Sequence, residues 1–264
     1  MSVVLYEKRE RIAWVTLNRP SAMNALDDAL NDALWEVWAD FATDPELDVA
    51  IVTGAGKAFC TGADLKTFIP KWDGADLAAP RRNAPRGIGG GLTRGQHRIS
   101  KPVIAAINGI AVGGGFELAL ACDIRLASSA ARFGVFEVRH GLHPADGGLV
   151  RLCAIAGSGV ALDLALTGRE IDAAEAHRLR LVSAVVEPEQ LLATAEAWAK
   201  MIVGNSQQAI RSAKETVLDL IGRPLDDALR LETLNGYSCV GDFSDARSRL
   251  QKFFAPAPQP KEPS

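Results

Sequence analysis

Two glutamates sit in apolar surroundings, Glu117 within Phe116-Glu-Leu-Ala and Glu137 within Val135-Phe-Glu-Val. A carboxylate taken out of water must find a partner or take up a proton, and either outcome moves its pKa toward the range useful for acid–base chemistry. The competing reading is a solvated or salt-bridged side chain, because structural ion pairs also perturb pKa. Two glycine-bearing turns accompany the glutamates: residues 54–65 (GAGKAFCTGADL) and residues 109–117 (GIAVGGGFE). Each follows an apolar run and precedes a helix-like stretch. Small residues there let a ligand approach the backbone, and a helix N-terminus leaves N–H donors free for negative charge, the ingredients of an oxyanion hole. On glycine content alone, tight packing is the better explanation of either turn. Neither turn is a nucleotide signature, since Ile51 stands where a Walker loop needs glycine and neither segment contains GxGxxG.

The elements that must hold these groups are legible in outline. Residues 12–18 form a β-branched and aromatic run ended by Arg19-Pro20, which predicts a strand and its exit. Leu26, Leu30, Leu34, Val37, Trp38 and Phe41 recur at three- and four-residue steps, predicting an amphipathic helix with Trp35 and Trp38 in the core. Residues 48–53 and 102–108 read as buried strands, residues 113–122 as a glycine turn opening into a helix, and residues 123–127 as a further strand. After about residue 158 the pattern is mostly helical, with one apolar run at residues 181–186. The proline-rich tail, residues 255–264, is expected to be disordered. Repeated strand, turn and helix units followed by helices indicate an α/β core with a helical C-terminal region.

Composition narrows the function classes. A chain of 264 residues with 48% hydrophobic residues can fill a substantial core, and a formal net charge of −3 argues against a dedicated nucleic-acid binder. Glu7, Lys8, Arg9 and Glu10 precede any apolar run long enough for a signal peptide, and the best membrane-span candidate, residues 102–120, holds glycines, Asn108 and Glu117. A cytoplasmic protein that engages no membrane is expected. Cys60, Cys122, Cys153 and Cys239 lie far apart, which suits reduced thiols. Residues 66–101 form the one basic segment, with eight Lys and Arg against Asp73 and Asp76, and are expected to be an irregular, mobile loop with some helix. A solvated charge run and a site for a polyanionic ligand explain those charges equally well. His140-x-x-His143 followed by Asp146 has the residue types of a metal site, but Gly141 and Pro144 break the helix that would align them, so no metal is expected.

Taken together, the motifs LNRP (residues 17–20), NAL (24–26), GAGKAFCTGADL (54–65) and KPVIAAINGIAVGGGFELALACD (101–123) resemble the crotonase, or enoyl-CoA hydratase/isomerase, superfamily. FGVFE (133–137), GLHP (141–144), LTGREID (166–172) and AHRLRLV (176–182) extend the likeness into the helical half. The resemblance implies a spiral of repeated ββα units (residues 1–200) and a C-terminal helical region (201–254) that serves trimer contacts, usually within a homohexamer. It implies acyl-CoA substrates, with coenzyme A as part of the substrate and no separate cofactor. It also implies that the Ala63 and Gly114 N–H groups hold the thioester oxygen, with Asp64, Leu65 and Lys66 beside the CoA moiety. Hydratases of this family carry two glutamates at the positions of Glu117 and Glu137, the first paired with water and the second a proton donor to the α-carbon. One of the two histidines is then expected to border the acyl pocket.

This sequence departs from the hydratase pattern at Ala145 and Asp146, where glycine and a small residue are usual, and at Ser21, where lysine is common; Phe253-Phe-Ala-Pro256 replaces the usual Glu-Lys-Arg ending. An ionised Asp146 would raise the pKa of its neighbours unless Arg139, His140 or His143 neutralised it, and it would favour acyl groups able to hydrogen-bond to it.

Overall fold

The computed structural model describes residues 2–73, 86–239 and 243–254. The chain forms two compact units, Met1–Gly204 and Asn205–Ser264.

In the first unit, a six-stranded sheet has the order β1(Val4–Arg9), β2(Ile12–Leu17), β3(Val49–Gly54), β5(Val103–Ile107), β7(Ile124–Ser128), β10(Ala184–Val186). A four-stranded sheet has the order β4(Ala58–Cys60), β6(Ile110–Val112), β8(Arg132–Gly134), β9(Glu170–Asp172). The β1–β2 and β8–β9 pairs are antiparallel and the other pairs parallel. Successive strand pairs β3–β4, β5–β6 and β7–β8 each place their first member in the large sheet and their second in the small one. That is the repeating spiral the resemblance implied, and the site grows where each second strand meets its helix.

The large sheet is covered on both faces, so its central strands read as continuous apolar runs. Ala13, Val15 and Leu17 of β2 and Ala50 and Val52 of β3 join the core beneath α1(Asp28–Thr43), while Ile12, Trp14, Val49 and Ile51 pack with Leu191, Ala195 and Ala199 of α6(Leu191–Gly204). The alternation follows from successive strand side chains pointing to opposite faces. In α1, Asp27 caps the N-terminus by accepting the Leu30 N–H at 2.9 Å. Leu30, Leu34, Val37, Trp38 and Phe41 form its buried stripe. Trp38 is fully buried as expected, whereas Trp35 is half-buried with the Arg86 guanidinium 5.2 Å above its ring.

Two further helices frame the site, α2(Leu65–Trp72) after β4 and α3(Gly114–Ala121) after β6. The helical half opens earlier than the sequence pattern indicated, with α4(Gly148–Thr167). This 20-residue helix has the length and apolar composition to cross a membrane, which corrects the expectation that the best candidate was residues 102–120. Gly157, at φ 82° and ψ 164°, breaks it into two pieces, each about half the roughly 20 residues a span requires. The small helix α5(Ala173–Arg178) follows β9.

The second unit contains α7(Gln207–Leu220), α8(Leu225–Cys239) and α9(Ser244–Phe254). The Asn235 Nδ2 donates to Thr216 Oγ1 at 3.1 Å between the first two. The expected boundary at residue 200 falls inside α6, which runs on to Gly204, and the division between units follows where that helix ends. The proline-rich tail and residues 74–85 of the basic segment lie outside the described residues.

Candidate active site

The first turn is held by side chains of the LNRP and NAL motifs. Asn24 is fully buried, accepting the Arg19 N–H at 2.9 Å and donating to the Ala55 and Ala58 carbonyls at 2.9 and 2.8 Å. Asn108 ties the same turn to the next strand, accepting the Gly54 N–H at 3.1 Å and donating to Gly56 O at 3.0 Å. The Arg19 guanidinium bridges Asp27 and Asp64 at 3.0 and 3.1 Å. The Asp64 carboxylate is therefore committed to an arginine, although the residue lines the cavity.

Ala63 forms a single parallel bridge with Leu26, in which Leu26 N–H donates to Gly62 O and Asp64 N–H donates to Leu26 O. Both bonds use the peptides' outer groups, leaving the Ala63 N–H directed away from Leu26. On the second turn, Gly113 takes φ +55° and its carbonyl accepts from Phe116 and Glu117, so the Gly114 N–H at the head of α3 is not used in that first turn. Gly62, at φ +87°, lets the turns meet: a β-carbon there would lie 2.7 Å from the Gly114 nitrogen. A β-carbon on Gly115 would lie 1.9 Å from Cys60 O, so only glycine fits that close approach.

Helix α3 carries Glu117 inward, 5% exposed. Its Oε1 accepts the N–H groups of Asp146 and Gly148 at 2.9 and 3.0 Å. Burial pushes its pKa up to about 7, the negative charges of Asp146 and Glu137 add to the rise, and the two backbone bonds oppose it. Glu137 begins the short 3-10 turn Glu137–His140 after β8, and its Oε2 is buried without a hydrogen-bond partner. Burial raises its pKa too; its own backbone N–H opposes, Asp146 adds, and His143 and His140 oppose.

A cavity of about 550 Å³ gathers these groups. Ala63, Asp64, Leu65, Lys66, Gly114, Glu117 and Glu137 all line it, so every site residue expected from the sequence is brought to one place. Both histidines border it, where one was expected. Among the described residues no three His, Cys, Asp or Glu side chains converge as a metal-binding group.

Three features were not visible in the sequence. Ile88 forms a wall over the second turn, its Cδ1 standing 2.5 Å from where a Gly114 β-carbon would be. The cation on Asp146 is Arg94, whose Nη2 and Nε donate to one carboxylate oxygen at 2.6 and 3.1 Å. This corrects the expectation of Arg139, His140 or His143; Arg139 instead lies 3.9 Å over the Phe136 ring. Finally, much of the basic segment has internal partners. Lys71 pairs with Asp28, Arg86 with Asp32 and Arg94 with Asp146, and the buried Lys101 donates to carbonyls of Phe41 and Asp44 at the end of α1. Lys66, exposed at the cavity edge, enters no ion pair among the described residues.

The model of the enoyl-CoA hydratase/isomerase family matches residues 7–244. The chain belongs to that family. Among enoyl-CoA hydratase/isomerase relatives, it is 38% identical over 253 residues to the (E)-benzylidenesuccinyl-CoA hydratase of Thauera aromatica, covering 96% of this chain and 94% of that one. It is 39% identical over 233 residues to the short-chain-enoyl-CoA hydratase of Clostridium acetobutylicum, covering 87% and 86%. The crystal structure of an enoyl-CoA hydratase from Bacillus anthracis, 35% identical, matches the family fold seen here with a TM-score of 0.85 over 95% of each chain.

Proposed function

We propose that this chain reversibly hydrates a 2-enoyl-CoA thioester to the 3-hydroxyacyl-CoA, with Glu117 and Glu137 as the acid–base pair and the Ala63 and Gly114 N–H groups as the oxyanion hole. The observation that carries this reading is the combination in one cavity of two carboxylates with raised pKa and two adjacent backbone nitrogens. Burial raises the pKa of both carboxyls and the Glu137 charge adds to the rise at Glu117, so each is disposed to hold a proton and the ionisation of Glu117 depends on the state of Glu137.

In the hydration direction Glu117 is the carboxylate. With Oε1 engaged by two backbone donors, Oε2 takes a proton from water as the water oxygen bonds to the β-carbon. The π electrons of the α,β double bond shift through the α-carbon toward the thioester oxygen, where the two N–H groups meet the developing charge. Glu137, protonated, then delivers its proton to the α-carbon; its buried, unpartnered Oε2 suits an atom that carries a proton rather than a charge. The pair ends with its proton on the other member, and one internal transfer resets it. Every step uses the chain's own groups, with coenzyme A entering as part of the substrate.

The test is turnover by purified protein across a panel of 2-enoyl-CoA and 3-enoyl-CoA esters, including crotonyl-CoA and (E)-benzylidenesuccinyl-CoA because hydratases named for each are both 38% identical to this chain. Loss of conjugated-thioester absorbance with formation of 3-hydroxyacyl-CoA supports the proposal. Conversion of 3-enoyl esters without hydration identifies an isomerase, and binding without turnover identifies a silent acyl-CoA binder.

The same reading assigns the C-terminal helices to contacts between copies in a trimer or hexamer. Leu225, Leu234 and Tyr237 of α8, exposed by 65% or more, support it.

A further inference from the structure

The two N–H groups that hold Glu117 come from a turn with an unusual support. Residues 145–147 connect Pro144 to α4, whose first residue is Gly148, and Gly147 takes φ +89°. A β-carbon on Gly147 would lie 2.1 Å from Arg151 Nη1, so the arginine packs directly against the turn. Arg151 donates from Nη1 to Asp146 O at 3.3 Å and from Nη2 to Thr93 O at 2.8 Å. Arg94, the next residue along, holds the Asp146 carboxylate. Thr93 Oγ1 in turn bonds both the Ile88 N–H and the Ile88 carbonyl, at 3.0 and 3.1 Å. One short segment, residues 88–94, thus walls the second glycine turn with Ile88 and clamps the Glu117 turn with Arg94.

We propose that Arg94 is a positioning residue for the reaction: by holding the Asp146 carboxylate it fixes both the turn that donates to Glu117 and the charge that stands beside it. The proposal rests on Glu117 acting as the base toward water. Asp146 lies at the cavity with its side chain 16% exposed, too buried for water to screen it fully. The charged groups acting on Glu117 are Asp146, Glu137 and, from α4, Arg151; His140 and His143 act on Glu137. Of these, only Asp146 is bonded to Arg94 among the described residues, so Arg94 can tune Glu117 through a single partner. With Arg94 removed, the Asp146 carboxylate is unpaired beside Glu117 and disfavours its ionisation; with Asp146 neutralised, ionisation becomes easier.

The test is the pH profile of kcat/KM for hydration in Arg94→Ala, Asp146→Asn and the double variant, with Arg94→Gln in place of Arg94→Ala if the latter yields no folded protein. The acidic limb should move to higher pH in the arginine variant and to lower pH in Asp146→Asn, each by about half a unit or more. The double variant should follow Asp146→Asn, and Arg94→Lys should bring the limb back toward wild type. A merely structural clamp would lower the rate at every pH without opposite shifts. Unmoved limbs, shifts in the same direction, or a double variant departing from Asp146→Asn overturn the proposal. Glu117→Gln belongs in the same series: if it keeps hydration, the reading of Glu117 as base has failed, whereas if it is inactive and the limbs are unmoved only the role of Arg94 has failed.

Discussion

A β-carbon built on Gly114 would stand 3.5 Å from the backbone nitrogen of Ala63 and 2.5 Å from Ile88 Cδ1. The two turns therefore share one small space, kept open by the missing side chain. Gly114→Ala should lower kcat for hydration by about 10²-fold, the scale of losing an oxyanion donor. Its melting temperature should change little, because Ile88 Cδ1 is the end of a flexible side chain. Gly62→Ala should behave differently, since φ +87° and a contact 2.7 Å from the Gly114 nitrogen leave only backbone to yield; a loss of about 1–3 kcal/mol in stability is expected. Steady-state kinetics and thermal melts of both variants check this.

Stability should carry the imprint of Glu117. Its folded pKa of about 7 lies above the ordinary 4.5, so between those values the folded protein binds more protons than the unfolded chain, and stability falls as pH rises. The contribution is fully present below about pH 4.5 and is lost through about pH 7. Glu117→Gln lacks this titration. Relative to wild type it should gain on the order of 2–3 kcal/mol between pH 4 and pH 8 in denaturant unfolding. A difference that does not vary with pH would mean that Glu117 is not desolvated in the folded protein.

Lys66 stands at the cavity edge and enters no ion pair among the described residues, while Lys71, Arg86, Arg94 and Lys101 have internal partners. If it meets the phosphates of CoA, Lys66→Ala should raise KM several-fold with a smaller effect on kcat, and KM of wild type should rise with salt. A salt-independent KM, unchanged in Lys66→Ala, would return this residue to the solvated surface.

How much of this was legible depended on local context. Strands β2, β3 and β5 were readable because both faces are buried, so nearly every position is apolar, Thr16 and Thr53 being the polar ones. Strand β1, VLYEKR, was not: it pairs only with β2 at the sheet edge and carries charges on exposed positions. Strands β4, β6, β8 and β9 have three residues each, too few to show a period. The start of α4 was hidden by Gly147 and Gly148 and by the break at Gly157. The two glutamates and two glycine turns were found because their chemistry is written in neighbouring residues. Arg94 was missed as the partner of Asp146 because it reaches across from a loop without periodicity, and nothing adjacent to either residue marks the pair.

The most direct measurement is the hydration rate of Glu117→Gln, Glu137→Gln and the double variant on the best enoyl-CoA ester, with folding checked by circular dichroism. Each single variant should lose at least about a hundredfold in kcat, and the double should be little worse than the worse single, because both carboxylates serve one proton circuit. Near-normal hydration by either folded single variant would contradict the two-glutamate mechanism.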